Sequence, residues 1–388
     1  MTITFICEVL GEENNGTTIA TMNVVRYLRS KGHDVHVVCP DKDKKGKEGY
    51  LVIPRIHFGP FDRYVEKNGV TLSSSKGFKK NEALLSLIRK SDVIHFNFGS
   101  KLTLLCAQYA HEHGIPCTAS FHTQAENFTN HVGLMRNSFA NFLVYCVLNH
   151  RLFSQVDSIH YPTQFVRNVF RAHHKTGAKE YIISNGTQSV FHREKVSKPA
   201  ELEGKYIITS TGRYSTEKQQ KALIKSMRYS AHNKDIQLIF PGDGPKRKHM
   251  EKLAEKYCVN KPMFGFHSRE HLAEILNYTD LYCHCSYADL EAISCLEAIS
   301  VGITPVLSDS PLSAVSGFAL DKRNVYHHDD PKDLAAHIDY WLDHPKERKE
   351  NSNLYAGLAS KYALEDMMVK MEAMFLETIE DYKKKHGK

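Results

Sequence analysis

No run of eighteen apolar residues occurs in the 388-residue chain, which argues against a membrane-spanning helix. The first residues, MTITFICEVLG, have no basic segment ahead of the apolar one, so they read as a first strand rather than a signal peptide. GxGxxG does not occur, and the dinucleotide fingerprint is missing with it. Charge of one sign is not dominant: 51 Lys and Arg against 44 Asp and Glu leave a net +7. Without a basic stripe interleaved with aromatics this excludes a nucleic-acid argument, and it suits an anionic small molecule or an acidic membrane surface. Nine cysteines, an odd number without framework spacing, point to a reducing cytoplasm instead of a disulfide scaffold. Internal repeats and low-complexity segments are also lacking.

What is present is ordinary for a soluble globular protein, with 41% hydrophobic and 24% charged residues. The length predicts about two domains. Strand-like Ile3 to Val9 leads through a glycine-containing turn, Gly11 to Thr18, into a helix pattern and a second strand, Val35 to Cys39. This βαβ opening makes Asn15-Gly16 either a ligand-facing turn or a plain connection. Further strands are expected at Asp92–Asn97, Cys117–Phe121 and Asp157–Tyr161. Residues 190–205, charged and without period, read as a linker between an N-terminal domain, 1–189, and a C-terminal domain, 206–363. A last helix over 364–388 is expected to return to the N-terminal domain. Residues 137–155 read as one helix whose apolar surface extends further round than one stripe needs.

The densest chemistry lies in LYCHCSYADLEAISCLEAISVGITPVLSDS, residues 281–310. Its pattern is strand, loop, helix, strand, with Gly302 closing the helix. Asp289 falls at the helix mouth and Glu297 about two turns in, where a phosphate-bearing ligand is favoured. Upstream, Gly212-Arg213 and Lys218 follow a strand end. Arg213 offers planar, bidentate phosphate contact and Lys218 a point charge. Gly242-Asp243-Gly244-Pro245 closes the next strand. Cys283-His284-Cys285 suggests a metal at first sight, but strand side chains alternate between faces, so the cysteines read as core.

These motifs resemble those of the retaining GT-B glycosyltransferases of family 4. The family pattern of Glu, seven residues, Glu, then Ala and Gly stands here as Asp289-LEAISCL-Glu297-AISVG, with Asp one methylene shorter than Glu. An alternative register would use Glu291 as the first acidic residue. The resemblance implies two doubly wound Rossmann-like domains facing a cleft. It implies transfer of a hexose from a nucleoside diphosphate sugar, UDP-glucose favoured, with retention. It assigns catalytic roles to His122, Arg213, Lys218 and Asp289. Donor contacts fall to Gly16, Gly212, Arg213, Lys218, Gly242, Glu291, Ala292, Ile293 and Glu297, with Glu297 on the ribose hydroxyls and Asp289 on the sugar hydroxyls. The resemblance also implies no metal and no cofactor, so that no cation is needed at the diphosphate.

For the acceptor, the apolar helix 137–155 with Arg136, His150 and Arg151, together with lysine clusters at 42–47, 76–80 and 383–385, favours a membrane lipid. The stretch SYADLEAISCLEAISVG is similar to enzymes that glucosylate diacylglycerol in Gram-positive-type bacteria. This implies a cytoplasmic protein peripheral on the inner face of the membrane. A polysaccharide or small-molecule acceptor is the alternative. A nucleotide-sugar epimerase or phosphorylase on the same fold would need an acid/base pair or cofactor lysine that the sequence does not announce. A non-catalytic partner subunit is the remaining alternative, encouraged by Asp289 in place of Glu.

Overall fold

Runs such as Phe5-Ile6-Cys7 and Val37-Val38-Cys39 are apolar on both faces of a strand and need cover on both sides, the requirement of parallel sheets with crossover helices. The computed structural model describes residues 1–8, 16–57, 59, 72–130 and 133–387. The chain forms two compact units, Met1–Ser184 with Glu365–Lys388, and Asn185–Leu364. The turn before Gly16 falls outside the described residues.

The first unit holds seven strands: β1 Thr2–Ile6, β2 Asp34–Cys39, β3 Tyr50–Val52, β4 Val93–Phe96, β5 Cys117–Ser120, β6 Ser158–Tyr161 and β7 Lys179–Ile182. They pair in parallel in the order β3-β2-β1-β4-β5-β6-β7, with Ile3 opposite both Val35 and Val93. Side-chain caps start the intervening helices: Ser100 accepts from Leu102 N at 2.9 Å and Thr163 from Val166 N at 3.2 Å. The helix Leu364–Lys385 packs on this unit through buried Met371, Met374 and Phe375. Phe375 meets Phe5 and His95 edge-on, and Thr378 Oγ1 donates to Ser158 Oγ at 2.7 Å. Each fully buried side chain of this size contributes about 1.5–3 kcal/mol.

One expectation is corrected here. The 137–155 segment is not a single helix: Asn137 caps a helix Ser138–Arg151, Leu152 leaves helical geometry at φ −135°, and Phe153–Gln155 form one 3₁₀ turn. The break lets Phe153 turn into the core, where it stacks on Phe121 with centroids 5.1 Å apart. No helix among the described residues is long and apolar enough to cross a membrane.

The second unit repeats the plan with β8 Tyr206–Thr209, β9 Ile236–Pro241, β10 Met263–Gly265, β11 Leu281–His284, β12 Ala288–Asp289, β13 Pro305–Ser308, β14 Leu312–Ser313 and β15 Val325–Tyr326. Six form a parallel sheet in the order β10-β9-β8-β11-β13-β15, and β12 pairs separately with β14. The helix Ile293–Val301 crosses from β11 to β13 and ends at Gly302, whose φ of 78° places it in the left-handed region. Strand alternation sends Cys283 and Cys285 into a core with Trp341, while Tyr282 packs in a separate core with Leu296.

Under the C-terminal helix, β4, β5 and β6 carry a buried polar chain. His95 Nε2 lies 2.9 Å from Ser120 Oγ, Ser120 Oγ 2.8 Å from His160 Nδ1, and His160 Nε2 donates to Ile183 O at 2.7 Å. With His160 donating from Nε2, Ser120 donates to its Nδ1 and accepts from His95. Burial holds His95 well below its ordinary value and His160 at about 4. Both imidazoles are therefore neutral when folded and take up protons on unfolding. Their stabilisation is complete above the unfolded pKa of about 6.5 and is lost as pH falls through 6.5 toward 4. For His160 the loss amounts to roughly 1 kcal/mol by pH 5.5. Thermal melts at pH 7.5 and 5.5 should therefore show a smaller acid-induced drop in Tm for His160→Gln than for the parent. Equal drops would contradict the neutral chain.

Candidate functional site

The C-terminal ends of β8, β9 and β11 carry most of the residues that the sequence singles out. Gly212, just beyond β8, has φ 140°, and Gly242, just beyond β9, has φ 152°. A Cβ on Gly242 would sit 2.1 Å from Gly212 O, so only glycine lets the two turns touch. Arg213 follows on the exposed part of the loop. The loop then turns back so that the Lys218 stem runs over Gly212, 3.9 Å from where a Cβ would stand. Gln220 Nε2 fixes this return by donating to Arg213 O at 3.0 Å.

Lys218 Nζ donates to Asp289 Oδ2 at 2.5 Å, and the two side chains are only 23% and 12% exposed. Burial disfavours the charge on Lys218, but the Asp289 carboxylate outweighs it and holds the ammonium above its ordinary value. Burial likewise opposes ionisation of Asp289, yet Lys218 and His284 keep it well below the usual carboxylate range. Its other oxygen, Oδ1, accepts from Ala292 N at 3.0 Å. Ala292 itself is a non-glycine residue at φ 57° and ψ 58°, strained by about 1–2 kcal/mol and held by this bond at the helix start, next to Ile293.

The two other acidic residues have separate partners. Glu297, buried within the helix, pairs with Arg269 Nη2 at 2.8 Å. Burial lifts its carboxyl to about 7 against the pull of Arg269. Glu291 accepts from the Asn185 backbone N–H at 3.0 Å and from its side-chain amide at 2.5 Å. The structure thus brings Gly212, Gly242, Lys218, Asp289 and Ala292 into one cluster, and joins Glu297 to Arg269, which sequence reading missed, and Glu291 to Asn185. Neither Arg269 nor Asn185 carries a local signal for its pairing, since each lies well outside the acidic motif.

His122 and Gly16 belong to the first unit. His122 lies two residues beyond β5, with its ring 6.2 Å from that of His160, and burial pushes its imidazole down to about 3. Gly16 opens the helix Gly16–Ser30. Sequence reading also passed over Glu8, a fully buried carboxyl just past β1 that accepts from Thr103 Oγ1 at 2.9 Å and is raised by burial to about 7. Its signal was an acidic residue inside an apolar run. Among the described residues one group has donor atoms close enough to hold a cation: Asp309, His327 and His328. Here the carboxylate accepts from both Nδ1 atoms, at 2.9 and 2.7 Å.

Both halves of the chain match known glycosyltransferase models. "Glycosyl transferases group 1" covers residues 191–354 and "Glycosyltransferase Family 4" covers residues 14–189. The chain is 24% identical over 309 residues to the alpha-monoglucosyldiacylglycerol synthase of Streptococcus pneumoniae, a match spanning 75% of this chain and 67% of that protein. HepE of Anabaena, solved with UDP-glucose, superposes with TM-score 0.70 at 14% identity over 98% of this chain and 100% of its own. A match of 46% identity joins 41% of this chain to 99% of the catalytic domain of cholesterol-alpha-glucosyltransferase from Helicobacter pylori, at TM-score 0.40. The two parallel α/β halves are those of the GT-B fold.

The glycine pair yields a direct test. Gly242→Ala drives a Cβ into backbone and should cost about 2–3 kcal/mol, whereas Gly204→Ala, at φ 73° in open space, should cost about 1 kcal/mol. Denaturant melts that rank the two the other way would contradict the described turn.

Proposed function

The chain belongs to the family 4 glycosyltransferases, and from that premise we propose that it moves a hexose from a nucleoside diphosphate sugar, UDP-glucose favoured, to a lipid hydroxyl with retention of configuration. The observation that carries the donor half of this reading is the cationic Lys218, held by Asp289 over the Gly212 turn. A diphosphate leaving group gains negative charge as the sugar–phosphate bond breaks, and a fixed, poorly solvated ammonium stabilises that charge more strongly than water does. Arg213 adds a planar donor, so the diphosphate is met by side chains and transfer proceeds without a divalent cation. Glu297 holds the ribose hydroxyls.

In the transfer step the bond between C1 and the diphosphate oxygen breaks as the acceptor oxygen bonds to C1 on the same face. The acceptor proton passes to the departing diphosphate. No covalent sugar–enzyme adduct is invoked.

The lipid acceptor is supported by the helix Ser138–Arg151. Only Asn141, Tyr145 and Leu148 are buried, whereas Phe139 is 70% exposed and Phe142, Leu143 and Val147 are exposed beside it. Phe128 and Leu134 are exposed in the segment ahead of this helix, and the exposed basic residues Arg136, His150 and Arg151 stand at its two ends. An apolar face with basic ends matches the boundary between headgroups and acyl chains. The similarity to the pneumococcal synthase points to diacylglycerol as the first acceptor to try.

Vesicles containing anionic lipid and diacylglycerol, incubated with labelled UDP-glucose, supply the test. The protein should float with the vesicles at low salt and label the diacylglycerol, with EDTA making no difference. Phe139→Glu with Leu143→Glu should reduce flotation and lipid labelling about tenfold or more, at about 1 kcal/mol or more per apolar side chain withdrawn. Protein that stays soluble and labels no diacylglycerol would overturn the lipid reading. Labelled cholesterol or a labelled soluble oligosaccharide would redirect the acceptor.

A further inference from the structure

We propose that His284 is a positioning residue for the donor site: its neutral imidazole holds the Asp289 carboxylate so that Lys218 can be shared with the donor diphosphate. The inference rests on the donor reading above and adds a residue to it.

His284 is the last residue of β11, only 3% exposed, on the strand face opposite Cys283 and Cys285. A buried imidazole needs partners for both nitrogens. Its Nε2 lies 3.1 Å from Asp289 Oδ2, the same oxygen that accepts from Lys218 at 2.5 Å. Its Nδ1 lies 3.4 Å from the Tyr282 hydroxyl. The hydroxyl stays protonated under burial and donates to Nδ1, which leaves the proton on Nε2 to be donated to Asp289. Burial keeps the ring neutral in spite of Asp289, so no second positive charge competes beside Lys218.

The arrangement answers a problem set by the short side chain. Asp289 reaches one methylene less far than a glutamate and sits almost enclosed, at 12% exposure. When Lys218 turns part of its hydrogen bonding to a phosphate, the carboxylate loses part of its pairing with the ammonium. An uncompensated buried carboxylate is costly. With Ala292 N–H on Oδ1 and His284 Nε2–H on Oδ2, both oxygens remain satisfied as Lys218 moves. A leucine in the same place would fill the space and leave Oδ2 dependent on Lys218, tying the ammonium to Asp289 and away from the leaving group.

The test compares His284→Leu, which keeps the volume, with His284→Gln, whose amide can donate where Nε2 does. His284→Leu should stay folded and lower kcat for hexose transfer about tenfold, the scale of one hydrogen bond to a charged group, with donor KM moved less than about threefold. His284→Gln should keep kcat within about threefold of the parent. A leucine variant as active as the parent, or a glutamine variant as impaired as leucine, would overturn the proposal. A second readout does not depend on turnover. Long-range ¹⁵N-imidazole spectra of the parent at pH 7 should contain a neutral Nε2–H ring that is missing in His284→Gln and displaced in Asp289→Asn. A cationic ring or an Nδ1–H tautomer at that position would also overturn it. A parent that turns over no nucleotide sugar would refute the functional reading, while the imidazole spectrum would still decide the role of His284.

Discussion

The ion pair between Lys218 and Asp289 is the constraint around which the second unit is arranged. Two opposite charges at 2.5 Å, largely out of solvent, are stable only when the remaining donors and acceptors around them are also engaged. The surrounding features meet that demand: Ala292 accepts a left-handed backbone so that its N–H reaches Oδ1, and His284 fills the second position on Oδ2. The glycines at 212 and 242 let the β8 and β9 turns close on each other, which brings the lysine-bearing loop back over its own start. The neighbouring Arg269–Glu297 pair follows the same logic one helix away. Such pairs are poor sources of net stability, so the place of Lys218 and Asp289 beyond the strand ends of a parallel sheet speaks for ligand chemistry rather than for folding.

The first unit divides its polar and apolar residues in the opposite way. Its interior holds polar groups such as the chain through His95, Ser120 and His160, whereas the helix Ser138–Arg151 leaves large apolar side chains outside. Apolar surface left in water costs free energy unless something covers it for part of the working cycle. The break at Leu152 sharpens the contrast: Phe153 goes into the core and the helix before it keeps its exposed face.

Much of this was legible in the sequence because it is encoded locally. Short apolar runs marked β1, β2, β5, β6, β8 and β11, and Cys283 and Cys285, read as core cysteines, stand in one core. The helical spacing of Ile293, Leu296 and Ile299, closed by Gly302, placed a helix where Ile293–Val301 stands. Long-range pairings were not legible. Arg269 finds Glu297 across 28 residues, and Asn185 finds Glu291 across 106, through tertiary packing that no local pattern announces. His284 was hidden for another reason: flanked by two core cysteines, it looked like part of an apolar strand, and only the opposite face reveals its partner. The Leu152 break escaped because apolar periodicity continues across it while the backbone does not.

The central claim is that the paired charges of Lys218 and Asp289 form the phosphate end of a donor site. Calorimetric titration of UDP-glucose into the parent and into the double variant Lys218→Gln, Asp289→Asn tests it most directly, because the neutral amides keep a hydrogen-bonded pair while removing both charges. The account predicts saturable binding to the parent and affinity weaker by about tenfold to a hundredfold in the double variant, the range of hydrogen bonds to charged groups. Equal affinity in the two proteins, with the variant folded, would contradict it.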